Sequence, residues 1–315
     1  MFILFISNMK ICFIAPGEIS VPPLGWGALE TVIWNQYSNL KKTGHDVSIV
    51  NETDSRVTLD KVNEINPDIV HLHYGCHYQI MPHIKCRKIV TNHDGSFLSS
   101  KPFHESLVRR FLYDCEFFIL TSWEKEFLLK IGISPQKIKL LPNGVDFKAF
   151  NFQTEAKFSD SSICLGKIDK RKNQAFLQSL NRDVYFVGEN TIPEFNMLDS
   201  KYLGSWARAE VYEKLTNYSN LILISELELQ PLVCLEALSA GLGLVISEAA
   251  SQNLDKSLPF ITVIQQNLIH NPEVVALSIS NNRNICASIG REKIRQYAKQ
   301  FDWDNIIKSY INNIL

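Results

Sequence analysis

No stretch of the 315-residue sequence is apolar over the roughly 20 residues that a membrane-spanning helix needs. The opening MFILFIS is far too short, and no small-residue cleavage site follows, so it reads as neither anchor nor signal peptide. Because Met9 precedes KICFIAP, a better beginning for a first buried strand, the first eight residues read equally as an upstream start or a strand extension. Charge of one sign is lacking as well: 32 Lys and Arg against 33 Asp and Glu give a formal net charge of -1. That balance excludes broad attraction for nucleic acid or anionic lipid, so an anionic ligand must be held by a few placed residues. The seven cysteines are scattered, odd in number and without a C-x-x-C pair. This excludes a disulfide framework and a structural zinc site, and fits reduced thiols in a cytoplasmic protein. Solenoid repeats and low-complexity tracts are missing too. So is the G-x-G-x-x-G fingerprint, which argues against a dehydrogenase.

What is there is an alternation of short apolar runs with helical patterns, the mark of parallel sheets covered on both faces. KICFIAP, DVSIVN, DIVHLH, KIVTNH and CEFFILT read as strands of a first sheet; SICLG, DVYFVG, KYLGS, NLILIS and GLVIS read as strands of a second. Between the two series, PNGVD is a turn cluster and FNFQTEAKFSDSS is polar and aperiodic, which places a boundary near residue 148. The expectation is an α/β protein with an N-terminal Rossmann-like domain over 1–148 and a second over 149–298. Ligands bind at the carboxyl ends of such sheets, so the expected site is a cleft between the two domains.

The most informative stretch is SELELQPLVCLEALSAGLGLVIS, residues 225–247. It joins a strand end, a loop with Glu228, and a helix whose early turns carry Glu236. Paired carboxylates accept hydrogen bonds from vicinal sugar hydroxyls. By spacing alone, however, the pair reads as readily as a solvated loop glutamate and a helix-start glutamate favoured by the dipole. The segment LGKIDKRKNQ, residues 165–174, sets Lys167 and Lys172 at a strand-to-helix turn, where cations oppose the helix dipole and so need a reason. PPLGWGALE offers Gly25 and Gly27 between the first strand and its helix, a place for close backbone approach or simply a tight turn. TNHDG sets His93 just past a strand end. His71 and His73 share a strand face but have no further ligand at metal spacing, and read as packed or cleft-lining. Asp302 and Asp304 flank Trp303 like a D-x-D motif, but helix capping explains them.

Taken in order, these motifs resemble family 4 of the retaining glycosyltransferases, which have the GT-B architecture: two Rossmann-like domains facing across a cleft, with a C-terminal helix crossing back to the first. The resemblance runs over almost all of residues 10–315, and FDWD marks the region of that helix, here 299–315. It implies that Glu228 contacts the transferred sugar and Glu236 the nucleotide ribose, with Leu229, Gln230 and Leu232 lining the donor loop. Lys167, in the place of the family's arginine, and Lys172 would hold the diphosphate. Gly25 and Gly27 match the glycine-rich loop, and His93 the histidine beside the donor sugar. The implied activity is metal-independent, retaining transfer from a UDP- or GDP-sugar to a glycan or lipid-linked acceptor, without a cofactor and with peripheral membrane contact as one context.

Several positions depart from the family pattern. Trp26 interrupts the glycine pair, LQPLVCL replaces the usual loop between the glutamates, Pro231 removes a backbone donor there, and EAASQNLD stands where glycines and another glutamate are usual. These departures point to an unusual donor or acceptor. They also leave open a silent nucleotide-sugar-binding scaffold and a GT-B-like nucleotide-sugar epimerase.

Overall fold

The computed structural model describes residues 8–25, 27–93 and 101–315. The MFILFIS opening, Trp26, and Asp94 and Gly95 of TNHDG lie outside the described residues. By contacts the chain divides into two units, one of Met1–Pro142 with Trp303–Leu315 and one of Asn143–Asp302.

The first unit is built on a parallel sheet in the order β2-β1-β3-β4-β5-β6. Its strands are β1 (Lys10–Ala15), β2 (Asp46–Asn51), β3 (Ile69–Leu72), β4 (Arg87–Val90), β5 (Glu116–Ile119) and β6 (Ile138–Leu140). β1 and β3 are buried almost throughout, as strands covered on both faces must be, which is why they read as continuous apolar runs. The helix Trp303–Ile314 belongs to this unit and buries Trp303, Ile306, Ile307, Tyr310, Ile311 and Ile314, a single stripe at helical spacing. Arg87 fixes its end: the guanidinium forks onto Glu116 at 2.6 and 2.8 Å and donates to the carbonyls of Asn313 and Ile314.

In the second unit the order is β11-β10-β9-β7-β8, again all parallel. The strands are β7 (Phe158–Leu165), β8 (Val184–Val187), β9 (Tyr218–Leu223), β10 (Gly243–Ser247) and β11 (Ile261–Ile264). Two apolar clusters cover the two faces of this sheet. One contains Leu221, Leu235 and Leu244, the other Ile222, Val245 and Ile279.

Some elements differ from the sequence reading. KYLGS is not a strand: it adds only the Phe186–Tyr202 bridge beside β8, because Gly204 turns left-handed at φ 71°. β6 and β11 are three and four residues long, too short to show a period. β7 starts at Phe158, inside the polar FNFQTEAKFSDSS stretch, because its first three residues are exposed. The stretch RKNQAFLQSLN breaks into the 3-10 turn Lys170–Lys172 and the helix Gln174–Ser179, with Asn173 left-handed between them.

Both sheets change direction once, between β1 and β3 in the first and between β7 and β9 in the second. At such a switch point neighbouring connections leave on opposite faces, and the carboxyl ends of the two strands open a crevice. In the second unit the turns that follow β7 and β8 meet through bare backbone. Gly188, just after β8, has φ +146°, and a Cβ there would stand 2.0 Å from the carbonyl oxygen of Gly166, just after β7. Gly188→Ala is therefore expected to cost roughly 2–4 kcal/mol in strain and overlap. Urea unfolding followed by a probe in the second unit checks this, and a loss below about 0.5 kcal/mol contradicts it.

Candidate functional site

The turn that follows β7 carries the predicted lysines. Gly166, at φ +137°, has no side chain, and a Cβ placed there would lie 2.8 Å from Nζ of Lys172, so the lysine ammonium lies across bare backbone. Asp169 shapes the turn by accepting the Lys172 N–H at 3.0 Å. Gln174 staples it, donating to the Lys167 carbonyl at 2.9 Å and accepting the Asp169 N–H at 3.2 Å. Lys172 is half-buried, whereas Lys167 is exposed on the same turn.

This turn is zipped to the loop that follows β9. Asn173 is buried and its side-chain amide donates to the Ile224 carbonyl at 2.9 Å. The Glu226 N–H donates to the Arg171 carbonyl at 2.8 Å. The Arg171 guanidinium donates to Glu228 Oε1 at 2.8 Å and to the carbonyl of Leu227. The side chain of Glu228 is only 15% exposed, so it is not a solvated loop glutamate.

The helix Leu232–Ser239 begins after Pro231, with no side chain capping its first turn. Glu236 stands in the second turn, its side chain 8% exposed, and forms an ion pair with Arg208. The helix-start explanation of this glutamate therefore fails: it is too far along the helix and too buried for the dipole to account for it. The Arg208 guanidinium packs 4.5 Å from the centre of the Tyr212 ring. Burial opposes its charge, but Glu236 and Tyr212 beside it outweigh that and hold the guanidinium above its ordinary value.

Cys234 is buried in the same helix, two residues before Glu236. Burial pushes its thiol well up, Glu228 and Glu236 add to the rise, and Lys172 works against it. One buried side chain thus lies within the fields of three of the predicted residues. Of the intervening loop, Leu229 is buried, Leu232 is half-buried at the first helical position, and Gln230 is held by Asn143. The Asn143 N–H donates to Gln230 Oε1 at 2.6 Å, and its side-chain amide donates to the Gln230 carbonyl at 3.1 Å. PNGVD, read from sequence as a boundary turn, therefore includes an anchor for the glutamate loop.

The other predicted residues lie in the first unit. Gly25 is in open space, as an ordinary turn glycine would be. Gly27 precedes the helix Ala28–Lys42, and a Cβ there would meet Pro23 at 2.8 Å and Glu30 Oε2 at 2.9 Å, so local packing alone requires glycine. His93 Nε2 is 3.4 Å from His73 Nδ1; the His73 ring lies 4.0 Å from that of His71, and His71 hydrogen-bonds Tyr310 at 3.1 Å and Thr91 at 2.8 Å. Burial lowers all three imidazoles, His93 to about 4. They are neutral at pH 7 and act only as hydrogen-bonding groups. Among the described residues no group of three or more His, Cys, Asp or Glu could hold a metal ion.

Sequence reasoning missed Arg171, Asn173 and Arg208. Arg171 was hidden in a basic run beside the lysine that drew attention. Arg208 left a weak signal, an Arg and a Tyr at i, i+4 in AEVYEKLTNY and the residue before it.

Residues 54–149, all but the last seven in the first unit, match the family model for Glycosyltransferase Family 4. No curated protein matches the chain. Solved structures match it over nearly the whole length. A glycosyltransferase from Rickettsia africae is 15% identical, with 97% of each chain covered and a TM-score of 0.67. Anabaena HepE in complex with UDP-glucose is 13% identical, covering 97% of this chain and 99% of that one, with a TM-score of 0.67. The lipopolysaccharide outer core galactosyltransferase WaaB in its apo form is 17% identical, with the same coverage and a TM-score of 0.65. At these identities the likeness is one of fold: an α/β protein of GT-B architecture. The motif resemblance to glycosyltransferase family 4 agrees with the family-model match and with this fold.

The histidine stack generates a pH dependence. Unfolded, each imidazole takes up a proton near its ordinary 6.5, but folded His93 resists until about 4. The unfolded chain binds more protons in that window, so stability is complete above about pH 6.5 and falls as the pH drops toward 4. Glu124 has the opposite effect, since burial raises its carboxyl to about 8 from 4.5 and its contribution is lost as pH rises between those values. His93→Asn should make the acid limb shallower by on the order of 1–3 kcal/mol between pH 7 and 4.5. Urea midpoints of wild type and variant across that range measure it, and parallel curves contradict it.

Proposed function

We propose that the chain is a retaining, metal-independent glycosyltransferase that transfers a sugar from a UDP- or GDP-sugar to a hydroxyl of a glycan or lipid-linked acceptor. The observation that carries this reading is the zipping of the Lys172 turn to the loop that holds Glu228, where β7 and β9 diverge. A cation and two acceptor-only carboxylates at a sheet switch point suit a ligand with a charged diphosphate in the middle and hydroxylated rings at both ends. The likeness to HepE, solved with UDP-glucose, is consistent with that ligand class.

In this mechanism Lys172, assisted by the exposed Lys167, neutralises the diphosphate as it gains charge on leaving. Lysine supplies point charge without arginine's planar fork, so the grip is less directional. Glu236 accepts from the ribose hydroxyls and Glu228 from those of the donor sugar. Backbone groups of Leu229, Gln230 and Leu232 line the donor, and Pro231 contributes no N–H. As the bond from the anomeric carbon to the diphosphate oxygen breaks, the acceptor oxygen bonds that carbon on the same face. The acceptor proton passes to the departing diphosphate, so no protein nucleophile is required.

Residues 1–148 are assigned the acceptor side, 149–298 the donor side, and 299–315 the returning helix. Gly25 and Gly27 would permit close approach of a phosphate or sugar, and neutral His93 would hydrogen-bond a sugar hydroxyl. Among the described residues no helix is long and apolar enough to cross a membrane. A cytoplasmic enzyme touching the membrane peripherally fits a lipid-linked acceptor.

Thermal shifts with UDP and GDP are the first test, because only a ligand of the folded state raises the melting temperature. Glu236→Ala should then weaken the nucleotide roughly 10- to 100-fold, the range for a hydrogen bond to a charged group. Lys172→Ala should lower kcat roughly 100-fold, as loss of a preorganised charge does. Turnover should survive rigorous chelation. Near wild-type behaviour of both variants would defeat the assignment. Binding without turnover would favour a scaffold, and isomerised donor without transfer an epimerase.

A further inference from the structure

The proposed sugar-binding glutamate does not stand alone. Arg171 touches the loop after β9 in three ways: its carbonyl accepts the Glu226 N–H, and its guanidinium donates to the Leu227 carbonyl and to Glu228 Oε1. Its neighbour in sequence is Lys172, proposed to hold the diphosphate. The backbone between them is pinned from both sides, by Asp169 on the Lys172 N–H and by Asn173 on the Ile224 carbonyl. A displacement of the lysine turn therefore moves the carboxylate of Glu228 with it.

We infer that Arg171 is a positioning residue that orients Glu228 toward the donor sugar and couples its placement to the diphosphate turn. The inference rests on the donor-site reading above and adds a residue to it. A single ion pair on an exposed loop would do little. Here one guanidinium nitrogen, Nη1, donates to a main-chain carbonyl and to the side chain of the next residue at once, which ties the carboxylate of a flexible glutamate to its own loop. With Oε1 occupied, one carboxylate oxygen remains for a hydroxyl. Lysine in place of Arg171 would keep the charge and a nitrogen able to donate to both acceptors, but on a differently shaped and more flexible stem.

Calorimetry on the full chain with UDP against UDP-glucose, and GDP against GDP-mannose, gives the affinity that the sugar adds to the nucleoside diphosphate. Arg171→Met is expected to reduce that sugar increment, and kcat where transfer is seen, by about tenfold, the size of a charge-assisted hydrogen bond. Its affinity for the nucleoside diphosphate and its melting temperature should stay close to wild type. Arg171→Lys should recover part of the loss. Adding Arg171→Met to Glu228→Gln should cost nothing further, because the arginine acts through that carboxylate. Losses that simply add, or a variant with the full sugar increment, overturn the inference and leave the donor site standing. A wild type that binds nucleotide but gains nothing from the sugar overturns it as well. A wild type that binds neither UDP nor GDP removes the donor-site reading and this inference together.

Discussion

Two acidic side chains can remain at the switch point of the second sheet because each is paired with an arginine. Glu236 is almost fully buried and Glu228 is mostly so. A carboxylate taken out of water without a partner is costly, and it normally gives up its charge rather than stay ionised. Arg208 and Arg171 supply the partners, and each arginine is fixed in turn: the first packs against Tyr212, the second bonds the Leu227 carbonyl. The site is thus two ion pairs, Glu228–Arg171 and Glu236–Arg208, with one lysine ammonium lying over bare glycine backbone on the turn that carries Arg171. In the proposed reading, it is this set that a sugar nucleotide would meet.

The first unit solves a related problem without charge. Its strand ends carry His71, His73 and His93, stacked and linked through hydrogen bonds to Thr91 and Tyr310. Burial keeps these rings neutral, so they offer donors and acceptors without a counter-ion. Tyr310 comes from the helix Trp303–Ile314, so the last turns of the chain help set the arrangement of residues that lie more than two hundred positions earlier. Neutral polar groups at one sheet and paired ions at the other are different answers to the same desolvation cost.

Much of this was legible in the amino-acid order, for reasons that can be named. Strands buried on both faces must be continuously apolar, so KICFIAP, DIVHLH and GLVIS could be read directly. The glutamates at 228 and 236 could be placed on a loop and a helix from local pattern, but spacing alone did not separate a paired site from a solvated glutamate and a helix-start one. What was illegible had no local pattern. β6 and β11 are too short for a period, and KYLGS looks like a strand until Gly204 bends it. Asn143 read as part of a turn cluster, yet it hydrogen-bonds Gln230 far along the chain.

By itself, the sequence determined the α/β class, two successive sheets and the strand ends that carry the polar residues. These follow from periodicity and turn chemistry, which act over a few residues. Only the tertiary structure decided which arginine meets which glutamate, that Gly166 and Gly188 must both be bare, that Gly27 is required by packing, and that three histidines share one stack. Those facts depend on strand order and on contacts between distant segments. The order β11-β10-β9-β7-β8 brings the end of β7 beside the end of β9 while more than fifty residues of chain run between them. No local propensity encodes that adjacency, because it is settled by burying the whole sheet at once.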